Sequence, residues 1–208
     1  MTDRMIETAE DVAEGAAWLA GRDPKLAEAL AKIGEAPLRR TGDGFAALLR
    51  IIVGQQVSTT AAAGIWRRIE EAGLAQASAV IAASEDTLLA AGLSRPKARY
   101  ARALAEADLD YSALRAKPVE AAIAELVAIK GVGQWTAEIY LMFAVGRADV
   151  FAPGDLALRE AVRVLYGLGD RPSIKELRRM SEAWSPWRGV AARLLFAYYR
   201  VIKGREGV

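Results

Sequence analysis

The sequence predicts an all-α protein, and three features lead to that reading. The composition is rich in Ala, Leu and Arg, residues that enter a helix at little cost. No run of alternating β-branched residues reads as a strand. Gly and Pro cut the chain into roughly a dozen short periodic segments. At 208 residues and 53% hydrophobic, the chain suits one large domain or two small lobes with a packed core.

Taken in order, Gly21 closes a first helix over 7–20, and a second follows over 24–34. Pro37 and Gly42 mark the connection to a helix over 44–54. Ser58 is placed to cap the next, 58–72, which Gly73 ends. Short helices are expected over 78–83 and 85–91, the latter stopped by Gly92, then over 94–107 and 111–115. Pro118 opens 118–128, Gly131 interrupts, and a helix over 134–146 follows. Asp155 starts 155–167, Gly169 and Pro172 separate it from 173–182, and Pro186 opens the last, 186–202.

Composition excludes several chemistries. The chain has no Cys, so disulfides, a Cys-ligated zinc and a Cys-ligated iron–sulfur cluster are ruled out. It has no His, which removes the usual general base and metal ligand. No stretch is long and apolar enough to span a membrane, and the N-terminus lacks a signal pattern, so a cytoplasmic protein is the default expectation. Net charge is +2, unevenly spread: residues 1–35 carry 4 basic and 8 acidic side chains, and residues 36–208 carry 24 and 18. Arg dominates the basic set and suits phosphate, but the bias alone is a weak pointer to nucleic acid.

Two segments carry the chemistry. In the first, Leu126, Val127 and Ile129 close one apolar helix, Gly131-Val132-Gly133 turns, and Trp135 to Phe143 populate the next. N–H groups at the start of that second helix lack intrahelical partners, and the helix dipole adds positive potential, so the turn accepts a phosphate oxygen without a charged side chain. Lys130 stands beside it. A plain helical hairpin has the same glycines. In the second segment, Pro153-Gly154-Asp155-Leu156 is a good helix start, and Asp155 there reads equally as a simple cap.

The longer stretch Ile129-Lys130-Gly131-Val132-Gly133-Gln134-Trp135-Thr136-Ala137 resembles the helix–hairpin–helix of the DNA glycosylase superfamily that pairs a Gly/Pro-rich loop with a downstream Asp. Lys130 stands where the usual version has Pro. Asp155 follows Trp135 by about twenty residues, the family's spacing for its catalytic Asp. Members that also nick DNA carry a Schiff-base Lys where this chain has Trp135, so the resemblance implies a monofunctional hydrolase. Arg50 through Ala62, containing Gly54-Gln55-Gln56-Val57-Ser58, resembles the second signature of the 3-methyladenine DNA glycosylase II family. Gln56 matches the wedge that fills the gap left by a flipped base; an ordinary polar loop capped by Ser58 is the alternative. Segments 92–100 and 187–193 also resemble the family, which extends the likeness over most of 40–202.

The resemblance implies a compact, two-lobed member: a middle lobe over 40–117, and a second lobe of 1–39 plus 118–208 containing the hairpin. Asp155 would be the catalytic carboxylate. Trp135, Phe196 and Tyr198 would line the base pocket, while Gln56, Ser58, Lys130, Gly131, Val132, Gly133 and Thr136 would meet DNA. Most of the other tryptophans are expected in the core. Leu156 and Ile139 replace Tyr of some relatives, which leaves the lesion range open. The expected partner is double-stranded DNA with a damaged base, bound by a monomer associated with the nucleoid. No organic cofactor or protein-ligated metal is expected; the family implies a monovalent cation on hairpin carbonyls. Base flipping and hydrolysis of 3-methyladenine- or 7-methylguanine-type lesions is the implied activity. The alternatives are a glycosylase for another damaged or mismatched base and a non-catalytic DNA-binding module.

Overall fold

The computed structural model describes residues 4–204. Its helices fall into two units, Met1–Arg40 with Leu141–Val208, and Thr41–Tyr140. The first unit opens with α1 (Ala9–Ala20) and α2 (Pro24–Ile33). The second holds α3 (Phe45–Gly54), α4 (Thr59–Glu71), α5 (Ala77–Ala82), α6 (Glu85–Ala90), α7 (Arg95–Glu106), α8 (Tyr111–Ala116), α9 (Val119–Val127) and α10 (Gln134–Tyr140). The chain then returns to the first unit with a π turn (Leu141–Val145), α11 (Leu156–Tyr166), α12 (Ile174–Ser181), a 3₁₀ turn (Glu182–Trp184) and α13 (Arg188–Lys203). Among the described residues there is no strand; one isolated bridge pairs Met5 with Arg147.

Local chemistry sets most helix starts. Thr8 and Asp11 form a capping box on α1, and Ser173 and Glu176 form another on α12. Asp23 caps α2 with Pro24 in the first turn. Ser58, Ser84, Ser94 and Asp110 cap α4, α6, α7 and α8. In the first unit, α13 packs against α1, α2 and α11 and buries Val190, Leu194 and Leu195. In the second, α3 packs against α4, α7 and α10 and buries Leu48, Leu49, Ile52 and Val53. Trp66, Trp184 and Trp187 are core, as expected for most tryptophans, while Trp18 and Trp135 are half-buried.

Two expectations are corrected. The helix over 134–146 is not continuous. After Tyr140 it widens into the π turn, where the N–H groups of Gly146 and Arg147 both reach Leu141 O, at 3.0 and 2.9 Å. The lobe boundary also shifts: residues 118–140 belong with the Thr41–Tyr140 unit, because α10 packs on α3 and α9.

Candidate active site and nucleic-acid interface

The candidate residues form two groups, one in each unit. In the Thr41–Tyr140 unit, the turn between α9 and α10 is held at Gly131, whose φ of 94° is a left-handed conformation that favours glycine. A Cβ there would stand 2.2 Å from Tyr100 Cγ, so Tyr100 packs directly on the turn backbone. Gly133 differs: no atom lies within 4 Å of a Cβ placed on it, and it is exposed, as is Lys130. Trp135 is half-buried at the second position of α10.

Two expected DNA contacts are spent inside the protein. Val132 is 3% exposed and its N–H donates to Ile129 O at 3.0 Å. Thr136 is 1% exposed and its hydroxyl oxygen accepts from Gln55 Nε2 at 2.9 Å. Neither side chain reaches a surface: Val132 in the turn and Thr136 on the inner face of α10 are both buried, while Gly133 and Gln134 are exposed. Ser58 is exposed, and its hydroxyl accepts from Ala61 N–H at 3.2 Å as the α4 cap.

Gln55 Nε2 also donates to Gly131 O at 3.0 Å, tying the segment after α3 to the hairpin turn. Lys97 braces the same segment, its Nζ donating to Val53 O and Gln55 O at 2.7 Å each. Partial burial pushes the Lys97 ammonium below its ordinary range. Gln56 is thereby held at φ 56° with its side chain exposed. A left-handed non-glycine residue costs roughly 1–2 kcal/mol, so neighbouring bonds must impose it. Sequence reasoning missed Gln55 and Lys97. The available signal was a lysine in the first turn of α7, where a cation opposes the helix dipole unless it has other partners.

In the other unit, Asp155 begins α11. Its Oδ1 accepts from Ala157 N–H at 2.8 Å and Leu158 N–H at 3.3 Å, and the residue remains half-buried. Leu156 beside it is 57% exposed, and Ile139 in the Thr41–Tyr140 unit is half-buried. Phe196 on α13 is half-buried and packs on Phe143 of the π turn, with ring centroids 5.9 Å apart. Tyr198, expected beside it in the pocket, is buried at 2% exposed, with Lys32 of α2 5.6 Å from its ring. Positions two apart on a helix point to nearly opposite sides, so α13 cannot aim Phe196 and Tyr198 at one ligand. Arg39, which sequence reasoning did not single out, lies over both Phe143 and Phe196, at 4.4 and 5.0 Å from their centroids.

A monovalent cation at the hairpin turn would need main-chain oxygens. Ile129 O accepts from Val132 N–H and Gly131 O from Gln55 Nε2; a carbonyl oxygen has two lone pairs, so these are the oxygens that would hold such an ion. Among the described residues no cluster of acidic side chains could hold a metal, and no helix is long and apolar enough to cross a membrane.

Residues 49–186 match the model of the HhH-GPD superfamily base excision DNA repair proteins. The chain belongs to this superfamily. DNA-3-methyladenine glycosylase 1 of Schizosaccharomyces pombe is 30% identical over 158 residues, which cover 72% of this chain and 69% of that protein. A solved 3-methyladenine DNA glycosylase of the same yeast, in complex with abasic DNA, superposes with a TM-score of 0.81 at 26% identity, covering 91% of this chain and 97% of that one. A DNA-3-methyladenine glycosidase from Bacillus halodurans gives 0.78 at 31% identity, covering 98% and 95%. Matched stretches span 33% to 69% of the lengths of seven curated relatives, so the chain corresponds to about half of a typical one. The superfamily match confirms the fold read from the hairpin and the downstream Asp.

Proposed function

We propose that this chain is a monofunctional DNA glycosylase that hydrolyses the N-glycosidic bond of alkylated purines in duplex DNA. The observation that carries it is Asp155, a carboxylate fixed by two N–H groups of α11 and only half-buried. The 3-methyladenine glycosylases it resembles supply the substrate class.

The chemistry follows from the charge. As the C1′–N9 bond of the flipped nucleotide breaks, positive charge builds on the sugar. A carboxylate held in place stabilises that charge without reorganising, and orients the water that adds to C1′. An alkylated purine departs as a neutral molecule and needs little further help, which suits a chain without His. Trp135 supplies a flat face for a cationic base and carries no amine for a Schiff base, so strand nicking is not expected. The turn around exposed Gly133 and Lys130 receives a backbone phosphate, and a cation on the turn carbonyls would add positive charge there. Gln56, held outward, fills the gap left by the flipped base.

The test is base release from randomly methylated duplex DNA by wild type and Asp155→Asn. Asn caps a helix as well as Asp, so the fold persists. Release should fall by roughly 10²- to 10³-fold while DNA binding survives. A wild type that binds DNA but frees no base would make the chain a binding module instead, and a preference for oxidised or mismatched bases would reassign the substrate.

A further inference from the structure

Three unusual features of the Met1–Arg40 and Leu141–Val208 unit meet at one residue. The first is the π turn, a local widening that is frequent at functional positions. It points Met142 O at Arg193 Nη2, 2.9 Å away, and places Phe143 beside Phe196. The second is Arg193 itself, 0% exposed, which donates to three main-chain carbonyls: Leu38 O at 2.8 Å, Gly189 O at 2.8 Å and Met142 O. Burial, with Arg39 and Arg40 nearby, pushes this guanidinium down to about 9. The third is Arg39, a non-glycine residue at φ 41° that directly follows the carbonyl Arg193 holds. Its conformation is imposed rather than preferred, and strain of this kind marks places where a side chain must be aimed.

Arg39 is aimed across the aromatic pair, 4.4 Å from the Phe143 centroid and 5.0 Å from that of Phe196. Burial is the main influence lowering its guanidinium from the ordinary range; Arg200 pushes the same way, and Asp155 is the carboxylate that opposes them. Phe196, which the family resemblance places in the base pocket, thus carries a cation within electrostatic reach of the proposed catalytic carboxylate.

Resting on the glycosylase reading above, we infer that Arg39 is a specificity-determining residue that extends base release to neutral damaged purines, through the guanidinium stacked on Phe143 and Phe196. The argument is one of charge. When C1′–N9 breaks, the bonding pair goes to N9. A cationic alkylpurine then leaves neutral, whereas a neutral purine leaves as an anion until it takes the proton released by the attacking water, whose oxygen bonds to C1′. A guanidinium donates hydrogen bonds and keeps its charge, so it stabilises an anionic leaving group and does nothing favourable for a cationic one. Asp155 serves the sugar in both cases; Arg39 separates them by serving only the neutral base.

The experiment measures single-turnover release of hypoxanthine, a neutral purine, and of 7-methylguanine, a cationic one, from otherwise identical duplexes. Arg39→Asn removes the guanidinium with a residue that tolerates the left-handed backbone. Arg39→Lys keeps the charge and loses the stacked plane. The hypoxanthine-to-7-methylguanine rate ratio should fall on the order of tenfold in Arg39→Asn, with an intermediate ratio for Arg39→Lys, at matched thermal melting. An unchanged or raised ratio, or equal losses on both substrates, overturns the inference. So does a wild type that releases 7-methylguanine and no hypoxanthine, which leaves the glycosylase reading intact. A wild type that frees neither base ends both.

Discussion

Helix α10 begins after Gly133, a residue with no side chain and open space around it, whereas α11 begins at Asp155, whose own carboxylate takes the first N–H groups. Both starts present the positive end of a helix dipole. One leaves that pole for an anion from outside, in our reading a DNA phosphate. The other holds an internal anion in place, in our reading to face a sugar cation. On that reading, the same elementary property of a helix terminus would serve binding at one end of the sequence interval and chemistry at the other. What decides between them is a single side chain at the N-cap.

The largest way to break this comparison is Asp155→Asn, with its roughly 10²- to 10³-fold loss of base release and intact DNA binding. If binding fell as well, the two starts would not be separable in function. Next comes Gly131→Ala, which meets both a positive φ and the Tyr100 ring, and should cost about 3 kcal/mol in chemical denaturation. Gly133→Asp sharpens the contrast within one turn. It adds a carboxylate where there is room, so melting should hold while duplex affinity falls on the order of tenfold, with a shallower dependence on salt. Unchanged affinity would detach this turn from DNA. The smallest effect is expected at Gln56→Gly. Relief of the left-handed strain should raise stability by about 1 kcal/mol, while base release slows if the side chain fills the vacated stack. A gain in stability with no change in release would make Gln56 a loop residue.

Helix positions were legible because their causes are local: Thr8, Asp23, Ser58, Ser173 and Asp155 cap within three residues of themselves, and glycines such as Gly21 and Gly73 end what precedes them. The role of Asp155 as a cap could be read from Pro153-Gly154-Asp155 alone. The separation of Phe196 from Tyr198 was also in the sequence, through their spacing of two, but which of them faces inward depended on α2 packing against α13.

By itself, then, the sequence determined an all-helical chain, its turn glycines, the absence of His and Cys chemistry, and one well-placed carboxylate, since each depends on residues a few positions apart. Only the tertiary structure decided that Met142 O would accept from Arg193, that Gln55 and Lys97 would lock the segment presenting Gln56, that Thr136 would face inward, and that Arg39 would lie across two phenylalanines. Those outcomes are pairings between groups tens of residues apart. They are chosen by which buried donors and acceptors must be satisfied once the helices pack, and neither periodicity nor capping encodes that choice.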